Sequence, residues 1–253
     1  KHRLDKMIRG HNGVSYQDAV DEEIDNGLDA GAKNITLTFN GGKIRKIHNT
    51  GNPMNLNDQN NCLTLDGCSK INDRRTKGKY GIGGANSRAR LSGQGVQTIT
   101  SKDGDNVRQC VIDMNYLAYE CPEKCSWTAD HDRKPHFQTI EDAEIKSNYG
   151  QGVTKEYLGD NLEQHFNLND VAKHIVVKYN SKIKENVIFE IIWEDNVYIL
   201  PDIINSDNCT TEIIPGDIYD DGTIWFTCGN ESKISKDING NLLLIDEIHT
   251  CDS

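Results

Sequence analysis

Residues 15–31 have the sequence SYQDAVDEEIDNGLDAG, which predicts a helix with one apolar and one acidic face. Ser15 followed three residues later by Asp18 is typical of a capping box, and Gly31 fits the left-handed position that ends many helices. At about 100° per residue the apolar side chains form one stripe, which consists of Tyr16, Val20, Ile24 and Leu28.

The opposite face of this predicted helix carries Glu22, Asn26 and Asp29 within about 60° of one another. Glu23 lies beside the apolar stripe, so Glu22 is the better aimed of the two glutamates. Carboxylate and amide oxygens on one face can hold a hydrated divalent cation and orient a water molecule. A solvated acidic face gives the same pattern and is commoner, so the helix alone does not decide between the two interpretations.

A second stretch, GKYGIGG at 78–84, has the glycines that a phosphate-binding loop needs. Glycine permits close backbone approach and free amide donors, and the start of a following helix favours an anion. The stretch is neither the dinucleotide-binding fingerprint nor the phosphate loop that ends in Gly-Lys-Ser/Thr. Two further elements accompany it, the turn HNTGNPM at 48–54 and the strand start Gly152-Val153-Thr154.

The chain has 253 residues and a net charge of -11, which argues against a surface that wraps nucleic acid by itself. A basic island nevertheless lies between residues 70 and 90, where Asp73 is the only acidic residue. A local anionic ligand and a solvated loop explain this island equally well. Its members are Lys70, Arg74, Arg75, Lys77, Lys79, Arg88 and Arg90.

The eight cysteines are irregularly spaced, and no signal peptide or transmembrane run is visible. This pattern favours a reduced intracellular compartment, cytoplasmic or nuclear, and no membrane contact. Cys121 and Cys125, with His131 and His136 downstream, could form a zinc site, although their spacing is loose. The chain begins at Lys1, which is expected if it is a fragment of a longer protein.

Alternating apolar residues and turn signals predict a sheet with helices on one face, an α+β sandwich. Strands are expected at 34–39, 43–47, 96–102, 106–113, 152–158, 186–193 and 197–200, with others near 223–228 and 241–246. Further helices are expected from about residue 85 and over 168–182, the latter with an apolar face of Val171, Ala172, Ile175, Val176 and Tyr179.

The order and spacing of these motifs resemble the GHKL ATPases, which include the gyrase B subunit, the ninety-kilodalton heat-shock chaperone, histidine kinases and MutL. The resemblance covers roughly residues 10–160. The family's Glu-x-x-x-Asn box, often followed by Asp-Ala-Gly-Ala, is matched here by residues 22–26 and 29–32, and its glycine-rich lid motif by 78–84. Gly67-Cys68-Ser69-Lys70 is similar to the lid segment of MORC proteins, and the helix and hairpin at 168–200 also look MORC-like.

The resemblance implies a Bergerat-type two-layer sandwich, in which a mixed and mostly antiparallel sheet carries helices on one face. It also implies two domains. Residues 1–160 would form the ATP-binding domain. Residues 161–253 would form a smaller helix and β-rich extension, the start of a transducer-like domain.

The same resemblance implies roles for individual residues. Glu22 would be the general base, Asn26 would hold magnesium, and Asp29 would support the pocket. The triphosphate would lie against Gly78, Gly81, Gly83 and Gly84, with Tyr80 and Ile82 in the same binding segment, while Lys70, Lys77 or Lys79 would neutralise the γ-phosphate. For the base, the resemblance implies binding by Asn49 and Gly51. Met54 would pack on the base, and Thr154 would help order a water molecule that contacts it.

Two residues depart from the family's Asp-x-Gly-x-Gly motif. Asn49 stands where the family has Asp, and Pro53 stands where it has the second glycine. An amide can donate as well as accept hydrogen bonds, and its neutral bonds are weaker than those of a carboxylate. The sequence therefore predicts weaker base recognition or a relaxed preference for adenine over guanine. Pro53 removes one amide donor and stiffens the loop, or is a turn proline without a role.

The implied function is magnesium-dependent binding and slow hydrolysis of ATP. A lid of about residues 55–84 would close over the nucleotide and gate homodimerisation. The MORC- or MutL-like version would act on DNA or chromatin through other regions of a larger protein. The alternatives are a heat-shock-type chaperone clamp with protein clients, and a sensor that binds nucleotide without hydrolysing it.

Overall fold

The computed structural model describes residue 9, residues 13–63, 83–120, 133–159 and 164–200, and the strands at 232–236 and 242–246. The α-helices of this part are α1 (Tyr16–Asp29), α2 (Leu56–Cys62), α3 (Gly83–Ser92), α4 (Ala143–Ser147) and α5 (Leu168–Lys184), with a π-helical turn at Tyr116–Glu120. The strands are β1 (Asn34–Asn40), β2 (Lys43–Asn49), β3 (Val96–Asp103), β4 (Asn106–Asp113), β5 (Gln138–Thr139), β6 (Gly152–Leu158), β7 (Ile188–Trp193), β8 (Asn196–Ile199), β9 (Ser232–Lys236) and β10 (Leu242–Asp246).

The first eight strands form one sheet in the order β5-β4-β3-β6-β2-β1-β7-β8. Every neighbouring pair in it is antiparallel except β1 and β7, which run parallel. Strands β9 and β10 pair with each other in a separate two-stranded sheet. The predicted α+β sandwich with a mixed, mostly antiparallel sheet is confirmed.

One face of the sheet packs against α1 and α5 in a continuous apolar core. Strand alternation places Ile35, Leu37 and Phe39 of β1 on this face, and all three are almost fully buried. The apolar stripe of α1 meets them through Val20 and Ile24. A second cluster lies between α3 and strands β3, β4 and β6; its buried members are Ala85, Ala89, Ile99, Cys110, Ile112, Met114, Ala118 and Val153.

The hairpin of β1 and β2 turns across Gly41 and Gly42, whose φ angles are 59° and 67°. Two successive left-handed residues form the tight turn that suits strand twist, and glycine adopts them without steric cost. The turn was predicted at Asn40-Gly41-Gly42. Strand β2 runs on to Asn49, two residues beyond the predicted end, and so carries the head of the 48–54 turn at its end.

Helix α5 buries all five residues of its predicted apolar face against the same core as α1. Strands β7 and β8 also belong to the main sheet, because β7 pairs with β1 along its whole length. The boundary expected at residue 160 therefore falls within one sheet and one core. The strand expected near 223–228 lies outside the described residues, whereas that expected at 241–246 corresponds to β10.

Helix α2 and the short elements at 116–147 were not predicted. Helix α2 is almost entirely polar in sequence, and it begins at a cap in which the Asn55 Oδ1 atom accepts a hydrogen bond from the Asp58 backbone at 3.0 Å. Among the described helices, none is long and apolar enough to cross a membrane.

Candidate functional site

Helix α1 has the start and end that its sequence predicts. The Ser15 hydroxyl accepts from the Asp18 N–H at 3.0 Å, and the Asp18 carboxylate accepts from the Ser15 N–H at 3.0 Å, which completes a capping box. Gly31 follows the helix with a φ of 80°. The helix is therefore fixed at both ends, and its acidic face has a defined direction.

The two adjacent glutamates of α1 lie in different environments. Glu23 is 2% exposed and accepts hydrogen bonds from the Ser87 hydroxyl of α3 and the Lys155 ammonium of β6. Glu22 is half-buried on the other side, and the hydrogen bonds of Ser87 and Lys155 go to Glu23 instead. As the helical phase predicts, Glu23 is a structural group on the core side, and Glu22 is the glutamate that faces away from the apolar stripe.

The carboxylate of Glu22 lies against Gly83, the first residue of α3. A Cβ atom at this position would overlap the Glu22 carboxylate, so only glycine leaves room for it in its present place. The acidic helix and the end of the glycine-rich stretch, 61 residues apart in sequence, are thus brought into contact. The first N–H groups of a helix have no acceptor within the helix, and they favour an anion at this place.

The pKa of Glu22 is raised above its ordinary value of 4.5. Burial is the largest cause, and the negative charge of Glu23 is the next. Lys155 opposes the shift, while Asp25 and Asp29 add to it. A carboxylate whose pKa moves towards neutrality is a better proton acceptor at physiological pH than an ordinary surface carboxylate.

Asn26 and Asp29 follow Glu22 on the same helix, Asn26 half-buried and Asp29 exposed. Asn49 lies at the end of β2 and is 8% exposed. A Cβ atom at Gly27 would lie only 3.0 Å from the Asn49 Cβ, so the glycine allows the strand end to approach α1 closely. The structure therefore places Asn49 against the C-terminal half of α1, the half that carries Asn26 and Asp29.

The turn after β2 is fastened to the end of α1. The Asn52 N–H donates to the Ala30 carbonyl at 2.8 Å, and a Cβ atom at Gly51 would lie 2.8 Å from the Ala30 Cβ. Within the turn, the Gly51 N–H donates to the Asn49 Oδ1 atom at 3.2 Å. Farther along, the Met54 N–H donates to the Ser101 hydroxyl at 2.9 Å, and the Met54 side chain packs on the second apolar cluster.

Thr154 is not brought to this group. It pairs with His48 across β2 and β6, and its hydroxyl contacts the His48 Nδ1 atom at 2.9 Å. Side chains alternate along a strand, so His48 and Thr154 lie on the opposite face of the sheet from Asn49. The residue that pairs with Asn49 is Val153, which belongs to the second apolar cluster. The prediction places Thr154 beside the base together with Asn49, whereas the strand register places Val153, one residue earlier, on that face of the sheet.

Several predicted site residues lie outside the described part of the chain, so the structure does not place them. They are Lys70, Lys77, Gly78, Lys79, Tyr80, Gly81 and Ile82. The same holds for Cys121, Cys125 and His131 of the possible zinc site. Among the residues that are described, no group of three or more His, Cys, Asp or Glu side chains is arranged to hold a metal ion.

Over residues 14–145, just over half of the chain, the sequence matches the family described as histidine kinase-, DNA gyrase B-, and HSP90-like ATPase. The chain belongs to this family, within the GHKL ATPase superfamily. No curated protein sequence matches it significantly. Membership implies ATP binding, and the matched region includes the acidic helix, the turn after β2 and the glycine-rich stretch.

The sequence patterns do not predict two clusters that hold α1 of this GHKL domain in place. Lys155 and Ser87 bind Glu23, as described above. On the adjacent side of α1, Asp21 accepts from Lys178 of α5 at 2.5 Å and lies 3.0 Å from the His174 Nε2 atom. Lys155 could have been recognised, because it occupies an inward position between Val153 and Tyr157 on β6.

The pKa of Asp21 reflects this second cluster. Burial would raise the pKa, but the hydrogen bonds and charges of His174 and Lys178 outweigh it, so that the pKa lies below the ordinary 3.8. Asp21 is therefore ionised at neutral pH, and its contacts with His174 and Lys178 connect α1 to α5.

Proposed function

We propose that this chain is a magnesium-dependent ATP-binding module that hydrolyses ATP slowly, with Glu22 as the general base. The observation that carries the proposal is the position of Glu22, half-buried with a raised pKa against the first residue of α3. Phosphoryl transfer requires positioning and charge stabilisation more than covalent chemistry. A carboxylate beside a helix start meets this requirement, since the helix start holds phosphate while the carboxylate orients water.

Asn26 would be the protein ligand of magnesium. Its amide lies one helical turn after Glu22 and is half-buried, so its oxygen can bind a cation that keeps most of its own water. A neutral amide suits this position, because magnesium in nucleotide sites is held mainly by phosphate oxygens and water. Magnesium, when bound, neutralises charge on the phosphates. Asp29 would orient water in the same shell from the exposed end of the helix.

The triphosphate would lie along the glycine-rich stretch that ends at Gly83 and Gly84. Its remaining members, Gly78, Lys79, Tyr80, Gly81 and Ile82, together with Lys70 and Lys77, are part of this proposal on the basis of the sequence. The base would lie at the other end of α1, between Asn49, Gly51 and Met54. Thr154 is left out of the proposed site because of its place on the far face of the sheet.

We further propose that residues 55–84 form a lid whose closure over nucleotide gates homodimerisation, as in the MORC- and MutL-like members of the superfamily. DNA or chromatin contact would then come from other regions of a larger intracellular protein, since this chain is acidic overall. Salt-dependent retention of the full-length protein on DNA would favour this version. A chaperone clamp would instead retain unfolded protein clients and show no such salt dependence.

A sensor that binds nucleotide without hydrolysing it is the second candidate, favoured by Asn49 and Pro53 in place of the family's residues. One experiment separates the two. ATP hydrolysis and oligomeric state are measured for the wild type and for Glu22→Ala, with and without magnesium and a non-hydrolysable ATP analogue. The expected result is that Glu22→Ala binds nucleotide and dimerises but does not hydrolyse ATP.

The matched control is Glu141→Ala, which removes a glutamate whose side chain is 86% exposed and far in sequence from the site. It should hydrolyse ATP at the wild-type rate. Hydrolysis by Glu22→Ala at that same rate would show that Glu22 is not the base. A wild type that binds ATP tightly and never hydrolyses it would favour the sensor.

A further inference from the structure

Lys155 is a cation at a position of the sheet where its neighbours are apolar. On β6 it shares the inner face with Val153 and Tyr157, and both of these residues are buried. On the adjacent strands it pairs with Ile47 of β2 and Ile99 of β3, which are also buried. The Lys155 side chain is itself 14% exposed. Because lysine is rarely buried without a partner of opposite charge, the fold must supply one here.

That partner is Glu23, whose carboxylate is held by two groups at once. One oxygen accepts from the Lys155 ammonium, and the other accepts from the Ser87 hydroxyl of α3. Ser87 lies one helical turn after Gly83, the residue that the Glu22 carboxylate contacts. The two neighbouring carboxylates of α1 therefore both contact the first turn of α3, Glu22 at its start and Glu23 one turn farther on.

The charge of Lys155 acts on Glu22 as well as on Glu23. Burial is the largest cause that raises the pKa of Glu22, and the negative charge of Glu23 is the next. Lys155 opposes both and lowers this pKa, whereas Asp25 and Asp29 raise it by smaller amounts. Lys155 therefore reaches both glutamates, one by direct contact and the other through space.

The other described basic side chains beside α1 have contacts of their own. In α3, Arg88 donates to the Gln97 Oε1 atom at 2.9 Å and to the Cys62 carbonyl at 2.6 Å. Three further basic side chains contact α1 at other residues; they are Arg90 over the Tyr16 ring, and His174 and Lys178 at Asp21. Lys155 is thus the cation that the fold places against the pair of glutamates.

A general base must be ionised to accept a proton from water. An uncompensated negative charge on Glu23 would favour the protonated form of Glu22, its neighbour in the chain. We propose that Lys155 is a positioning residue for ATP hydrolysis, which neutralises Glu23 and so lets Glu22 carry its negative charge at the start of α3. Lys155 acts through charge from within the core and does not touch the nucleotide. This inference rests on the proposed function, because it assumes that Glu22 is the base.

The test measures kcat of the whole chain between pH 5 and pH 9, at saturating ATP and magnesium. Glu23→Gln removes the neighbouring negative charge at nearly constant size, so the rise of kcat with pH should move to lower pH. At pH 5, kcat relative to its value at pH 8 should be about three- to tenfold higher than in the wild type. Adding Lys155→Met to Glu23→Gln should move the rise back to higher pH, because the cation that favours ionised Glu22 is then gone.

Two controls separate charge from structure. Lys155→Arg in the Glu23→Gln background keeps the cation, so the rise should stay at the lower pH. Glu185→Gln makes the same change as Glu23→Gln in an exposed pair with Lys182, and it should keep the wild-type profile. Calorimetry with a non-hydrolysable ATP analogue checks that each variant is folded, and its affinity should be unchanged.

The outcomes separate this inference from the proposed function. If the variants lose activity by the same factor at every pH, or keep the wild-type profile while Glu22→Ala is inactive, Lys155 is a purely structural group and the inference is overturned. A profile that Lys155→Arg moves as far as Lys155→Met does would overturn it too. A wild type that does not hydrolyse ATP, or a Glu22→Ala variant as active as the wild type, overturns the proposed function and the inference with it.

Discussion

Glu22 and Glu23 are identical side chains one residue apart, and the helix gives them different chemistry. Glu23 has a cation and a hydroxyl as partners in the interior. Glu22 has the bare backbone of Gly83 before it and the charges of Glu23, Asp25 and Asp29 around it. The glutamate whose ionised form is disfavoured in the folded protein is therefore the one proposed as the general base.

Because burial and neighbouring negative charges disfavour the ionised form of Glu22, we predict that Glu22→Gln stabilises the protein at neutral pH. The pKa of Glu22 is raised in the folded state, so its ionised form is less favourable there than in the unfolded chain. The penalty is complete above the folded pKa and disappears as the pH falls below the unfolded value near 4.5. The expected gain in the free energy of unfolding at pH 7 is about 0.5–2 kcal/mol, the usual range for one stabilising substitution.

Chemical denaturation of both proteins between pH 4 and pH 8 measures this effect. The advantage of Glu22→Gln should shrink steadily as the pH is lowered. Glu141→Gln serves as the control, because the same change at an exposed position should leave stability nearly unaltered. A constant advantage across the whole pH range would mean that the charge of Glu22 is not the cause.

At the scale of elements, α1 is held by charged contacts from three neighbours. Glu23 binds β6 and α3, Asp21 binds α5, and the guanidinium of Arg90 in α3 lies 3.7 Å from the centre of the Tyr16 ring. The acidic face that carries Glu22 is thus positioned by contacts on the other faces of the same helix. Removal of one of these contacts should lower the free energy of unfolding and also displace Glu22.

Lys155→Met should lower the free energy of unfolding by about 3–5 kcal/mol, because it leaves the carboxylate of Glu23 buried without its cation. The double variant Glu23→Leu with Lys155→Met should recover most of the loss, since a buried pair can often be replaced by apolar side chains. The Ser87 hydroxyl would still have an acceptor in the Gly84 carbonyl at 3.2 Å. Urea denaturation of the single and double variants measures the difference.

Lys182→Met is the matched control for this prediction. Lys182 pairs with Glu185 on the surface of α5, with side chains 42% and 59% exposed. Exposed pairs of this kind contribute about 0–1 kcal/mol, so the change should be small. A loss at Lys155 no larger than that at Lys182 would mean that the buried pair does not hold α1.

At the scale of the whole molecule, the sheet and the apolar core that contain the contacts of α1 extend to β8. Helix α5 and strand β7 cover the apolar face of α1 and one edge of β1. A chain that ends at residue 160 should therefore fail to unfold cooperatively, because this core would be open to water. A chain that ends at residue 200 should give a single cooperative thermal transition. A cooperative transition and ATP binding by the shorter chain would support the predicted boundary at 160.

Local patterns predicted most of the elements because each is determined by its own residues. The hairpin at Gly41 and Gly42 and the apolar face of α5 follow from turn chemistry and helical phase alone. The parallel pairing of β1 with β7 was not predicted, since nothing in either strand specifies a partner so far along the chain. Thr154 was misplaced for a related reason, because the face of a strand residue depends on register, which only the neighbouring strand fixes.

The parallel pair of β1 and β7 has a consequence for how the protein is made. Strand β1 ends at Asn40 and its partner begins at Ile188, so roughly 150 residues must be synthesised before the pair can form. At about 5–20 residues per second this takes about 7–30 s. During that interval one edge of a central, apolar strand is unpaired, and such edges invite association with other chains. The nascent chain therefore passes through a stage in which a chaperone at the ribosome would protect it.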